Sequence, residues 1–445
     1  MIDKKFIQTV SFCLFVFLCI GCIENDTSSE IELSTNSMES DNVNSIPPAM
    51  HTETDSIDKA TMIYAYSADD YDIATANNAF AFDMYLNLTK EENLVFSPYS
   101  IFTAMAVCYD GAEGATQEEI AYVFNYPLSK PILEKTSKDM MDTINSNDDS
   151  YDLKTANALW VRKEYPLNQQ FVQNSKKYYE GNVTNIDFRG KPEESRTIIN
   201  EWVASKTNDK IKYLIPENLI TIDTAIIITN AVYFKGKWMN EFDTTNTEKR
   251  IFYNSSSSKD GTPVDMMYIQ EYFSYGESKN AKIVELPYKG NDLCMYIVLP
   301  EENDIGEFED SFTLSEYTRL KSSMNSQYPV QTWLPKFKID TKTELPETLQ
   351  DMGIVDAFGI RANFSEMVPE DYMLWLDDVI HQAFIDVQEK GTEAAAATAI
   401  EAVDCAVVPS EKVLEFKADH PFLFIIEDKR TGCILFMGKV EEPEY

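Results

Sequence analysis

Histidine is the scarcest of this chain's residues that could do acid–base or nucleophilic chemistry. Only His51, His381 and His420 occur among 445 residues. A Ser-His-Asp or Cys-His centre must recruit one of them, and no pair has the spacing of zinc ligands. No glycine-rich phosphate loop or hydrolase signature accompanies them. His381 stands just before the run Gln382-Ala383-Phe384-Ile385-Asp386-Val387, where a lone histidine reads first as a core residue with its hydrogen bonds met. No nucleophile, base and orienting group assemble, so an enzyme is not the reading. No metal and no cofactor is called for.

The informative stretch follows that run, from Glu389 to Val408. Read locally it is a short helix, with Thr392 as a cap and four alanines behind it. Read as a strand, its side chains alternate between two faces. One face carries Thr392, Ala394, Ala396, Thr398, Ile400 and Ala402, uncharged and mostly small. The other carries Glu393, Ala395, Ala397, Ala399, Glu401 and Val403, so both glutamates share a face. Such a segment suits insertion between two strands, small face to the core and charged face to water. Gly391, just before it, supplies a flexible hinge.

The formal net charge is −36, and 44% of residues are hydrophobic, enough for a sizeable core. The acidity argues against nucleic acid as a partner, because phosphate contacts need clustered lysine and arginine. It suits a soluble protein outside the cytoplasm. Residues 1–22 read as an export signal: Lys4 and Lys5, then an apolar run from Phe12 to Ile20 too short to span a membrane. Cys19-Ile20-Gly21-Cys22 resembles a lipobox, in which Cys22 carries a lipid and joins the chain to a membrane. Residues 23–70 are polar and acidic, with few aromatics before Tyr64, and read as a disordered tether.

A single folded domain is expected over 71–445. Ile73, Ala76, Phe80, Met84 and Leu88 recur at helical spacing. Asn93 to Ile101 reads as a short strand stopped by Ser97-Pro98, then a helix running to Gly111 and Gly114. Residues 197–215 read as a helix through Ile199, Trp202 and Val203. Thr224 to Phe234 is an apolar run typical of a strand buried on both faces, with Asn230 inside it. Residues 281–299 read as a hairpin around Lys289-Gly290-Asn291-Asp292.

These motifs together resemble the serpin family over roughly residues 72–443. Glu389-Lys390-Gly391-Thr392-Glu393, followed by Ala394, Ala395, Ala396, Ala397 and Thr398, resembles the hinge of an inhibitory serpin's reactive-centre loop. Asn93 to Ile101, Tyr233-Phe234-Lys235-Gly236-Lys237-Trp238, Glu285 to Asn291, Leu334 to Ile339, Leu349 to Phe358, Phe416 to Phe424 and Ile434 to Lys439 are similar to further family strings. The resemblance implies an α+β fold of three sheets, eight or nine helices and an exposed loop. It implies a shutter of Ser97, Ser100, Asn230 and His381, with the histidine bonded to Asn230. Trp238 would mark the breach, where an inserting loop enters the sheet.

The family's loop spacing, counted from Gly391, places the attacked bond at Cys405–Ala406, with Asp404 or Ala406 as neighbouring alternatives. Cys405 suits the apolar primary pocket of chymotrypsin-, elastase- or subtilisin-like proteases. The resemblance implies a suicide substrate that traps a serine protease covalently, working as a monomer. Alternatives are a non-inhibitory carrier of the same fold and an inhibitor of cysteine proteases. Cys405 has a second reading as an oxidisable loop thiol, although Asp404 beside it disfavours a thiolate. Cys108, Cys294 and Cys433 sit in apolar settings and read as buried free thiols.

Overall fold

Alternating and unbroken apolar runs build three sheets. The computed structural model describes residues 71–88, 92–146, 150–254, 261–302, 305–392 and 412–445. Nine α-helices and three sheets occur among the described residues, an α+β architecture.

The sheet that matters most here has six strands. They are β2 (Tyr151–Arg162), β3 (Asn182–Ile186), β4 (Ile226–Lys237), β11 (Phe337–Glu344), β12 (Asp378–Gln388) and the two-residue β13 (Gly391–Thr392). Their order is β11-β12-β13-β4-β2-β3, with β12 and β4 also paired directly. That direct pairing is parallel, from Asp378 opposite Ile227 to Phe384 opposite Tyr233. Beyond it, β13 sits antiparallel between the same two strands.

The apolar run through β4 is buried on both faces, as its composition requires. Ile228, Val232 and Phe234 face the main core, while Ile227 and Ala231 belong to a smaller cluster on the opposite face. That cluster includes Ile199 and Val203 of a helix spanning Pro192–Lys206. The helix stops well short of residue 215, the end that the apolar pattern suggested. Asn208 and Asp209 take left-handed backbone angles, φ 50° and 61°, which end it. Ile211, Leu214 and Ile215 still reach the cluster, from a loop. Their apolar spacing therefore reported burial and not helix.

Two other sheets complete the frame. One is built of β1 (Leu94–Phe96), β7 (Tyr275–Glu277), β8 (Ala281–Pro287), β9 (Leu293–Pro300), β15 (Phe422–Asp428) and β16 (Cys433–Val440), in the order β1-β16-β15-β9-β8-β7. The other is built of β5 (Glu248–Phe252), β6 (Thr262–Glu271), β10 (Val330–Pro335) and β14 (Leu414–Lys417), in the order β14-β10-β6-β5. The hairpin of β8 (Ala281–Pro287) and β9 (Leu293–Pro300) turns at Gly290 and Asn291, both at positive φ. A helix over Pro98–Gly111 lies behind the first sheet with every residue buried. Ser97 caps it, its Oγ accepting the Ser100 N–H at 3.2 Å, and Pro98 occupies the first turn where no N–H is missed. An apolar helix of this kind is held by packing on all sides. No described helix is long and apolar enough to cross a membrane.

Candidate functional site

At one end of the six-stranded sheet, the start of the small-residue stretch is already docked. Gly391 pairs with Lys237, and Thr392 with Gly236, on β4. On the other side Thr392 pairs with Val387 and Gly391 with Gln388, on β12. Local sequence allowed a helix cap at Thr392; strand neighbours on both sides decide otherwise. Gly391 has φ +139°, and a Cβ there would lie 2.1 Å from the Gly236 carbonyl oxygen. Only glycine fits this passage.

Thr392 is fully buried, and its hydroxyl lies 2.7 Å from that of Tyr288. Trp238 stacks on Tyr288 with centroids 4.6 Å apart, and its Nε1 donates to the Gln388 carbonyl at 2.9 Å. The backbone N–H groups of Trp238 and Phe242 donate to the carbonyls of Lys390 and Glu389, at 3.1 and 2.8 Å. The Glu389 carboxylate accepts from Thr247 Oγ1 at 2.9 Å and meets Lys336 at 3.3 Å. The hinge base is thus fastened through backbone, ring and carboxylate together.

Further along β4 and β12, a buried polar cluster joins the two strands. Asn230 and His381 stand directly opposite each other, and His381 Nδ1 bonds Asn230 Oδ1. His381 Nε2 accepts the Ser97 N–H at 3.1 Å. The proton therefore sits on Nδ1 and is donated to the amide oxygen. Burial drives the imidazole pKa down to about 3, so the ring is neutral. Asn230 Nδ2 donates to the Ser100 carbonyl at 2.8 Å, to Ser100 Oγ at 2.6 Å, and to Asn157 Oδ1. Ser97 Oγ donates to the Leu435 carbonyl at 2.6 Å.

Ser97, Ser100, Asn230 and His381 come together in this cluster, and Trp238 stands at the hinge with Glu389, Gly391 and Thr392. Sequence reasoning missed Asn157 and the role of Tyr288. Asn157 sits opposite Asn230 on β2. An amide inside the apolar run Ala156-Asn157-Ala158-Leu159 was the signal available, the same one that marked Asn230. Glu393, Ala394, Ala395, Ala396, Ala397, Thr398, Cys405, Ala406 and Cys22 lie outside the described residues.

Among the described residues, the thiols and the second imidazole are closed off. Cys108, Cys294 and Cys433 are free and buried, and burial raises each thiol's pKa. His420 lies 2.9 Å from Asp419 and 2.8 Å from the Pro300 carbonyl, with both ring nitrogens occupied. No cluster with metal-ligand character occurs among the described residues.

In this sheet the two central strands β12 and β4 pair directly over part of their length, and a third strand, β13, begins between them. The family model for "Serpin (serine protease inhibitor)" matches residues 75–443. An uncharacterized serpin-like protein of Methanosarcina acetivorans is 52% identical, over 100% of this chain and 99% of its own. Human Serpin B3 is 35% identical over 83% of this chain and 99% of its own. Among solved structures, the insect Serpin48 of Tenebrio molitor superimposes with TM-score 0.77 at 30% identity, covering 85% of this chain and 100% of its own. The thermophilic serpin tengpin, in its native state, gives TM-score 0.76 at 27% identity, over 83% of this chain and 94% of its own. This chain belongs to the serpin family.

Proposed function

We propose that the protein inhibits serine-type proteases as a suicide substrate. The observation that carries this is the docked hinge: Thr392 already occupies a strand position between β4 and β12. Continuing that register is simple arithmetic. Thr398 lies six residues beyond Thr392, opposite Asn230, six before Gly236, and opposite His381, six before Val387. Ala394, Ala396 and Thr398 then face the core, and Glu393, Ala395 and Ala397 the outer side. Insertion must part the bond between His381 and Asn230, and Thr398 brings a hydroxyl to that level. Without a polar group there, each buried partner left unpaired costs about 1–3 kcal/mol.

In this reading the protease serine Oγ attacks the Cys405 carbonyl carbon. The peptide bond to Ala406 breaks, Ala406 leaves as a new amino terminus, and Cys405 is held as an ester on the enzyme. The freed loop end then travels into the sheet, gaining ladder hydrogen bonds to the strands on its two sides. The acylated protease is dragged with it before water completes the cycle. Small side chains on the core face let this outrun deacylation.

Export through residues 1–22, a lipid on Cys22 and a tether over 23–70 would hold domain 71–445 at an outer membrane surface facing extracellular proteases. The test is to mix the exported protein with chymotrypsin-, elastase-, subtilisin- and trypsin-like enzymes. A denaturant-stable adduct and a released peptide beginning at Ala406 are expected. Cleavage in the loop with no adduct by any enzyme, and no rise in melting temperature afterwards, overturns the reading in favour of a carrier.

A further inference from the structure

The geometry points to an anion-binding site beside the hinge. A cavity of about 730 Å³ is lined by Ser150, Tyr151, Asp152, Lys235, Gly236, Lys237, Lys289 and Gly290. Three of its eight lining residues are lysines, in a chain of formal net charge −36. Lys235 and Lys237 alternate with Gly236 on β4, so both ammonium groups leave the same face, about 7 Å apart at the backbone. The Lys289 N–H donates to the Lys237 carbonyl at 2.8 Å, which brings the third lysine to the same rim. Among the described residues none of the three forms an ion pair. The cavity's one carboxylate, Asp152, is engaged by Lys154 at 2.8 Å.

Among the described residues the three cations face one carboxylate, Asp152, which Lys154 shares; the excess positive charge is self-repulsive, and a multivalent anion relieves it. The lysine donors are mobile point charges, suited to a cluster of oxygens and not to one planar carboxylate. The volume exceeds that of a single phosphate. The class of ligand is therefore a small multivalent oxyanion, a polyphosphate or a polycarboxylate.

The wall of this cavity is also the strand that receives the hinge. Gly236 pairs with Tyr151 on one side and Thr392 on the other, and Lys237 pairs with Gly391. An anion bridging Lys235, Lys237 and Lys289 stiffens that strip of β4 and thereby holds the hinge in its docked position. This claim does not depend on the loop being protease bait.

Calorimetric titration of the full chain with pyrophosphate, and separately with citrate, tests it at constant ionic strength set by sodium chloride. One saturable site is expected, with the tighter ligand telling phosphate from carboxylate chemistry. Lys235→Gln with Lys289→Gln should weaken it at least tenfold, and Lys289→Gln alone, in an exposed turn, severalfold. Hydrogen exchange of the peptide spanning residues 388–392 should slow severalfold on binding. Heat that never saturates, affinity unchanged in the variants, or a response reproduced by chloride alone overturns the site. Saturable binding with unchanged exchange overturns its link to the hinge.

Discussion

Tyr288 and Thr392 meet hydroxyl to hydroxyl at 2.7 Å, across a sequence separation of 104 residues. One lies at the end of the β8 hairpin and the other is the last described residue of the hinge. Burial pushes the Tyr288 phenol pKa well up, so it stays neutral and serves as a plain hydrogen-bonding group. Tyr288→Phe should therefore cost about 1 kcal/mol in unfolding by urea. It should also raise hydrogen exchange at 388–392 without altering the rest of the sheet. Unchanged exchange there would show that the backbone pairs alone hold the hinge.

Thr392→Arg places a cation where the side chain is fully buried. The charge cannot be carried into the sheet without a large desolvation penalty. The variant should be cleaved by the target protease as fast as wild type, while the yield of covalent adduct falls at least tenfold. A wild-type adduct yield on a denaturing gel would sink the insertion mechanism.

Gly391→Ala tests the passage itself. Its Cβ would collide with the Gly236 carbonyl oxygen, at 2.1 Å, and the φ of +139° is strained for any side chain. Undocking of residues 391–392 is expected, read as faster exchange and easier proteolysis of the loop base, with the fold otherwise intact by circular dichroism.

His381 gives a pH signature. Its folded pKa is about 3, against 6.5 for a free imidazole. The unfolded chain takes a proton that the folded chain refuses. Stability from this group is complete above pH 6.5 and is lost as pH falls from there toward 3, at up to about 1.4 kcal/mol per unit. Urea unfolding between about pH 4 and 7 should show His381→Gln less stable at neutrality but with a slope flatter by close to one proton. Equal slopes would assign the titration elsewhere.

Asp378 behaves oppositely. Burial, aided by Glu344 and Asp377, raises its pKa from 3.8 to about 6. The ionised form is strained in the folded state, so stability is gained as pH drops through 6 toward 3.8. Asp378→Asn should stabilise the protein at about pH 8 and bring nothing at about pH 4. Under the insertion reading Glu401 arrives beside Asp378, so the variant should also insert faster near neutrality. A stabilisation independent of pH would contradict the carboxylate account.

Much of the frame was legible because its signals are local. The unbroken Ile-Val-Thr-Ala run, the Ser97-Pro98 stop and the Gly290-Asn291 turn each state a backbone preference without help from distant residues. The helix expected to 215 failed because apolar spacing reports burial, and a loop satisfied it equally well. Family-like strings named four of the five members of the polar cluster. Asn157 escaped because its meaning lies in its cross-strand position opposite Asn230, which no local pattern encodes.

The sequence by itself determined that Gly391 to Thr398 has two faces, one small and uncharged, and that helix and strand were both open to its start. Only the tertiary structure decided between them at Thr392. Lone residues choose a conformation weakly. Hydrogen-bonding partners on β4 and β12, and the buried Tyr288 hydroxyl, supply what local propensity does not. The lysine-lined cavity is likewise a tertiary fact: Lys289 lies far along the chain from Lys235 and Lys237, and only the fold lets their charges meet.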